Sequence, residues 1–140
     1  MAYLDTSVLG SYFCQESLSD KVQRLLNSIA DPAISPLVEV EFYSLIARKV
    51  RMKELDRGIA GTILDQFRLQ MAGGRYTIVE IGRQEYRIAG DWLRGFNTGL
   101  RSGDALHLAA TFANREAILT TDKTLADAAR TLYVSCELIH

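Results

Sequence analysis

The chain has 140 residues, 48% of them hydrophobic and 24% charged, with a formal net charge of −1. That length suits one domain, residues 1–140, with its own core, and the near-neutral charge excludes a general nucleic-acid coat. No apolar run approaches the roughly 20 residues that span a bilayer, no basic-then-apolar leader opens the chain, and Cys14 and Cys136 are too few and isolated for structural zinc, so a reduced, cytoplasmic protein with no membrane anchor is expected.

The first element is the apolar run Ala2-Tyr3-Leu4, a strand that ends on Asp5. Ser17-Leu18-Ser19-Asp20 resembles a capping box, and Val22, Leu25, Leu26 and Ile29 follow it at helical spacing. Asp31-Pro32 breaks that helix, and Ala33-Ile34-Ser35 reads as a short buried strand. Ser35 is an N-cap with Pro36 at the first helical position, opening a helix to about Val50 that is apolar on most sides. The next helix runs from Glu54 to Met71, turns Ile59, Ile63, Leu64 and Phe67 inward, and stops at Gly73-Gly74. Leu18, Val22, Tyr43 and Ile46 are assigned to the core, although on a surface they would suit a dimer or partner contact.

Thr77 to Ile81 reads as a strand, and Tyr86, Ala89, Leu93 and Phe96 mark another helix. Ser102 caps an Ala-rich helix to Asn114, which leads into the run Ala117 to Thr121 and then Asp122. A short helix, Leu125 to Arg130, and a strand, Leu132 to Cys136, complete the chain. Strands alternating with helices specify an α/β fold: a parallel sheet with helices on both faces, in three layers.

Charge is unevenly distributed. Tyr43 to Arg101 holds 11 Lys and Arg against 6 Asp and Glu, with Arg48, Lys49, Arg51, Lys53 and Arg57 the densest group. Such a run is ordinarily a solvated helix face, and its functional counterpart is a rim that contacts phosphate. The acids outside this segment include four that such a fold could gather. Asp5 and Asp122 each end a strand, where ligands of parallel sheets bind, although Asp in that position also caps the following turn. Glu41 interrupts a helix that otherwise looks buried, and a buried carboxylate needs a partner, either a metal or Arg48 two turns on. Glu39 lies among equally apolar neighbours, and helical spacing does not choose between them. Asp104 sits in a first helical turn, where the dipole favours an acid, but shares a face with Leu108 and Thr111. His107 reads as a packed or surface histidine, and Asp127 as exposed. Four carboxylates in one crevice repel one another unless a cation offsets them, and hard oxygen donors suit Mg²⁺ or Mn²⁺.

Tyr3-Leu4-Asp5-Thr6-Ser7-Val8-Leu9, Ser35-Pro36-Leu37-Val38-Glu39-Val40-Glu41-Phe42, Ser102-Gly103-Asp104-Ala105-Leu106-His107-Leu108-Ala109 and Ile118-Leu119-Thr120-Thr121-Asp122 occur in this order across the whole chain. Together they resemble the PIN-domain ribonucleases, specifically the VapC-type toxins of toxin–antitoxin pairs. The resemblance implies a PIN-like parallel sheet between helices. It implies an endoribonuclease dependent on Mg²⁺ or Mn²⁺, with Asp5, Glu41, Asp104 and Asp122 as catalytic metal ligands and Glu39 in reserve. Ser44-Leu45 after Glu41 matches the family pattern and favours Glu41, and Arg101 resembles a recurrent family position beside the third acid. An RNA substrate, a small DNA-binding antitoxin and a homodimer follow from the same likeness. A catalytically silent PIN fold, or a nuclease of RNA processing with no antitoxin, are the alternatives. An aspartyl-phosphate enzyme is disfavoured, because Ser7 stands where such phosphatases want a second acid.

Overall fold

A computed structural model describes all residues 1–140. In chain order its elements are β1 (Ala2–Leu4), α1 (Thr6–Phe13), α2 (Ser19–Ser28), β2 (Pro32–Ile34), α3 (Pro36–Arg51) and α4 (Arg57–Ala72). They continue with β3 (Thr77–Ile78), α5 (Arg83–Arg94), α6 (Ser102–Asn114), β4 (Ala117–Thr120), α7 (Lys123–Thr131) and β5 (Cys136–Leu138). The five strands form one parallel sheet in the order β3-β2-β1-β4-β5. Strand order therefore reverses at β1: the chain builds outward to β2 and β3, then returns to lay β4 on the other edge of β1. Parallel sheets of this kind open a crevice at such a switch point, beyond the carboxyl ends of the strands. Here those ends carry Asp5 and, two residues past β4, Asp122.

The core explains why the strands are so short yet stable. Leu4, Ile34 and Ile118 are fully buried in the sheet, as expected for strands covered on both faces. Between α1, α3 and α4 lies an aromatic cluster in which Phe67 packs on Phe42 at 4.9 Å and on Phe13 at 5.9 Å, edge to face. Val22 and Ile46 belong to the core, and Leu18 and Tyr43 are half-buried against it.

Local chemistry fixes several boundaries. Ser35 caps α3 by accepting the Val38 N–H at 3.2 Å, with Pro36 at the first helical position. Asp56 caps α4 through the N–H groups of Gly58 and Ile59, so that helix starts at Arg57 and not at Glu54. The capping box expected at Ser17 is absent. Ser19 is instead buried at the start of α2, donating to the Cys14 carbonyl and accepting the Glu16 N–H.

Other expectations are corrected. Residues Thr6–Phe13, to which the sequence pattern assigns no element, form a helix. The strand expected over Leu132 to Cys136 begins only at Cys136, because α7 runs to Thr131 and the chain turns through Tyr133 at φ 59°. The strand at Thr77 ends at Ile78. Ile59, expected inside, is 55% exposed; α5 stops at Arg94, so Phe96, expected on that helix, sits in a left-handed turn at φ 57° and is 91% exposed. Ser102 is the first residue of α6, and Arg101 occupies the cap position without a side-chain hydrogen bond.

Candidate active site

Beyond the ends of β1 and β4 lies an open cleft of ≈ 560 Å³ lined by Asp5, Thr6, Ser7, Glu41, Ser44, Leu45, Arg48, Arg101, Asp104 and Asp122. One lining residue of the ten is apolar, so the cleft is built for charged ligands. All four acids singled out in the sequence reach it, each from a different element. Asp5 follows β1, Glu41 projects from the second turn of α3, Asp104 from the first turn of α6, and Asp122 caps α7 after β4. Glu39, half-buried, lies outside the lining, and so does exposed Asp127, which pairs with Arg130 at 3.6 Å.

Three of the acids are anchored through one oxygen. Asp5, only 5% exposed, accepts hydroxyl hydrogens from Ser7 (2.7 Å) and Thr120 (2.9 Å), both at Oδ2. Those hydroxyls in turn accept the backbone N–H groups of Thr121 and Asp122, which ties the end of β4 to the end of β1. Asp122 accepts from the N–H groups of Thr124 and Leu125 at Oδ1, as helix N-caps do. Glu41 accepts from Thr6 Oγ1 (2.7 Å) and His107 Nε2 (2.5 Å), both at Oε1. Asp104 accepts no hydrogen bond from the protein. Each anchored acid thus has one oxygen without a protein partner, at an edge of a shared cleft.

His107, expected as a packed or surface histidine, is packed, and it also bonds Glu41. Its ring is fully buried, with Nδ1 2.7 Å from the Tyr3 hydroxyl, which lies 2.7 Å from Ser35 Oγ. A carboxylate only accepts, so Nε2 carries the proton toward Glu41, and in the tautomer with Nδ1 bare the ring accepts from Tyr3. Ser35 donates to Tyr3 while accepting from Val38, and every donor in the chain has an acceptor. Arg48, the protein partner considered for Glu41, instead sits in the cleft lining. The available signal was spacing: His107 lies three residues after Asp104, on the same face of one helix.

The electrostatics follow from this arrangement. Burial pushes the Asp104 carboxyl above its ordinary value, and so do the charges of Asp5, Asp122 and Glu41, against a smaller opposing pull from His107. Burial also raises Glu41, but the hydrogen bond from His107, attraction to that ring and the Thr6 hydroxyl outweigh it and hold the carboxyl low. No three His, Cys, Asp or Glu side chains are gathered tightly enough to hold an ion as they stand. The donor set nevertheless fits a hard divalent cation: four carboxylates, mutual repulsion that a cation relieves, and oxygens free of protein partners.

Comparison with known proteins agrees with this architecture. The PIN domain family model matches residues 2–131. No curated protein matches by sequence. Among solved structures, the chain is similar to VapC20 of Mycobacterium tuberculosis, described as a Sarcin-Ricin loop cleaving toxin, with a TM-score of 0.73, 17% identity and coverage of 91% of this chain and 95% of that one. It is also similar to FitAcB from Neisseria gonorrhoeae, with a TM-score of 0.75, 17% identity and coverage of 97% and 96%. VapBC2 from Rickettsia felis, bound to a DNA fragment from its promoter, gives a TM-score of 0.69 at 17% identity and coverage of 99% and 98%. At such identities the likeness is one of fold. No helix here is long and apolar enough to cross a membrane.

Proposed function

The chain belongs to the PIN domain family, and on that premise we propose that it is an Mg²⁺- or Mn²⁺-dependent endoribonuclease, the toxin of a toxin–antitoxin pair, with Asp5, Glu41, Asp104 and Asp122 as its metal-binding catalytic acids. The observation that carries this reading is the lining of a single cleft by four carboxylates drawn from four elements, with two arginines beside them. A divalent cation bound there supplies positive charge to the scissile phosphate and lowers the pKa of the attacking water.

The protein's own groups do the rest. Ser7 and Thr120 orient Asp5; Thr6 and His107 orient Glu41. Asp104, held by no hydrogen bond and raised by burial and by its acidic neighbours, is the acid whose charge most needs an incoming cation. Arg48 and Arg101 hold the RNA phosphate backbone at the cleft, where their charge also draws the polyanion in. The same open cleft suits inhibition by a small DNA-binding antitoxin, and two copies of the chain form the working unit in the cytoplasm. The likeness to VapBC2, which is bound to a DNA fragment from its promoter, and to a toxin–antitoxin complex from Klebsiella pneumoniae supports that partnership. The reading is tested by incubating cellular RNA with the purified chain: discrete products with Mg²⁺ or Mn²⁺, and none with EDTA, are expected.

A further inference from the structure

Gly103, the residue before Asp104, has no conformational need to be glycine. Its backbone is not left-handed, and alanine is the better helix former. The only atoms that a Cβ at this position would meet belong to the carboxyl group of Glu41: Oε2 at 2.7 Å and Cδ at 3.9 Å. Real Cβ atoms essentially never approach an oxygen so closely, so any side chain at 103 displaces that carboxylate. Its other oxygen, Oε1, is the one held by His107. Gly103 and His107 stand four residues apart, on one face of α6.

The geometry points to this face of α6 as a positioning device for Glu41, in which Gly103 leaves the space for one carboxylate oxygen and His107 holds the other. Both are positioning residues. Glu41 and Asp104 come from helices far apart in sequence, and this contact sets one acid against the other. The Tyr3 and Ser35 hydroxyls extend the device into the core by fixing the imidazole from behind. Its functional consequence rests on the proposed role of Glu41 as a metal ligand; its geometric part does not.

The test is a double-mutant cycle of Gly103→Ala and Glu41→Gln. It is read by the ¹⁵N–¹H signal of the His107 ring without metal, by Mn²⁺ affinity in calorimetric titration, and by melting temperature. Because the clashing atoms lie at the flexible end of Glu41, Gly103→Ala should stay folded. It should move the His107 signal and weaken Mn²⁺ binding by about 10–100-fold, the usual effect of losing an orienting contact. In the Glu41→Gln background the same substitution should weaken binding no further. A wild-type His107 signal and Mn²⁺ affinity in Gly103→Ala, with affinity lowered in Glu41→Gln, would overturn the inference alone. Unchanged affinity in Glu41→Gln would overturn the ligand reading, and the His107 signal would still decide the geometry. Should Gly103→Ala unfold, His107→Leu and His107→Gln decide instead. Leucine removes the donor and should weaken binding by a similar factor, whereas glutamine keeps an N–H and should lose less. Equal losses in the two would overturn the inference.

Discussion

Tyr3→Phe removes one oxygen from the centre of the molecule and keeps the ring that packs there. Tyr3 is 1% exposed, and its hydroxyl serves both Ser35 Oγ and His107 Nδ1, at 2.7 Å each. Without it, a serine hydroxyl loses its acceptor and an imidazole nitrogen loses its donor, both in residues with no solvent exposure. At about 1 kcal/mol per hydrogen bond, with some further cost for orphaned buried groups, the variant should lose about 2–3 kcal/mol. An unfolding entropy of roughly 2.1 cal/mol/K per residue gives a 140-residue chain about 0.3 kcal/mol/K, so the melting temperature should fall by about 7–10 °C. Burial lifts the Tyr3 phenol well above its ordinary value; the Ser35 hydrogen bond opposes this, and the charges of Asp5 and Glu41 add to it. A raised acid stabilises the fold below its unfolded pKa and loses that stability as pH rises. The gap between wild type and Tyr3→Phe should therefore stay constant up to about pH 10 and narrow above it. Melting followed by far-ultraviolet circular dichroism measures this, with Tyr12→Phe, which breaks no hydrogen bond, as the control. A Tyr3→Phe variant melting within about 2 °C of wild type would refute the hydrogen-bonded chain behind Glu41.

Two further outcomes follow from the cleft itself. Glu41→Gln should lower RNA cleavage by about 100-fold or more while Glu39→Gln stays within about 2-fold; the reverse order, in the same gel assay, would assign the ligand to Glu39. Asp104→Asn should raise the melting temperature of metal-free protein at neutral pH. The raised Asp104 carboxyl stabilises the fold while protonated and loses that contribution as pH rises through its native pKa, whereas asparagine never ionises. The gap should close below about pH 4, where wild type is protonated too. A metal-free Asp104→Asn protein no more stable than wild type at neutral pH would contradict the burial of this carboxyl and the crowding of acids around it.

How much of this could be read from the sequence depended on how local each signal was. The ends of β1 and β4, with Asp5 and Asp122, were visible because a short apolar run closing on an acid is a local pattern. Ser35-Pro36 was visible because an N-cap and a first-turn proline are local chemistry. By contrast, α1 carries Thr6, Val8 and Gly10, poor helix formers, and owes its helix to packing: a Cβ at Gly10 would lie 3.4 Å from Leu45. The apolar run Leu132-Tyr133-Val134 resembled a strand, yet the strand is set by register against β4, where Ile118 faces Cys136. The choice between Glu39 and Glu41 was beyond helical spacing because both have apolar neighbours. It turns on which side of α3 meets α1 and α6, a tertiary fact. The hydrogen bonds of His107 were beyond the sequence for the same reason, since its partners Tyr3 and Glu41 are 104 and 66 residues away.

The most direct measurement is cleavage of total cellular RNA by the purified, antitoxin-free chain, with Mg²⁺ or Mn²⁺ and then with EDTA, beside Asp104→Asn as the matched control. The account predicts a few discrete products whose ends map to fixed positions, lost on chelation and lost in Asp104→Asn despite a folded protein. Products that persist in EDTA or in Asp104→Asn would contradict it, as would intact RNA after incubation with folded, metal-loaded wild type.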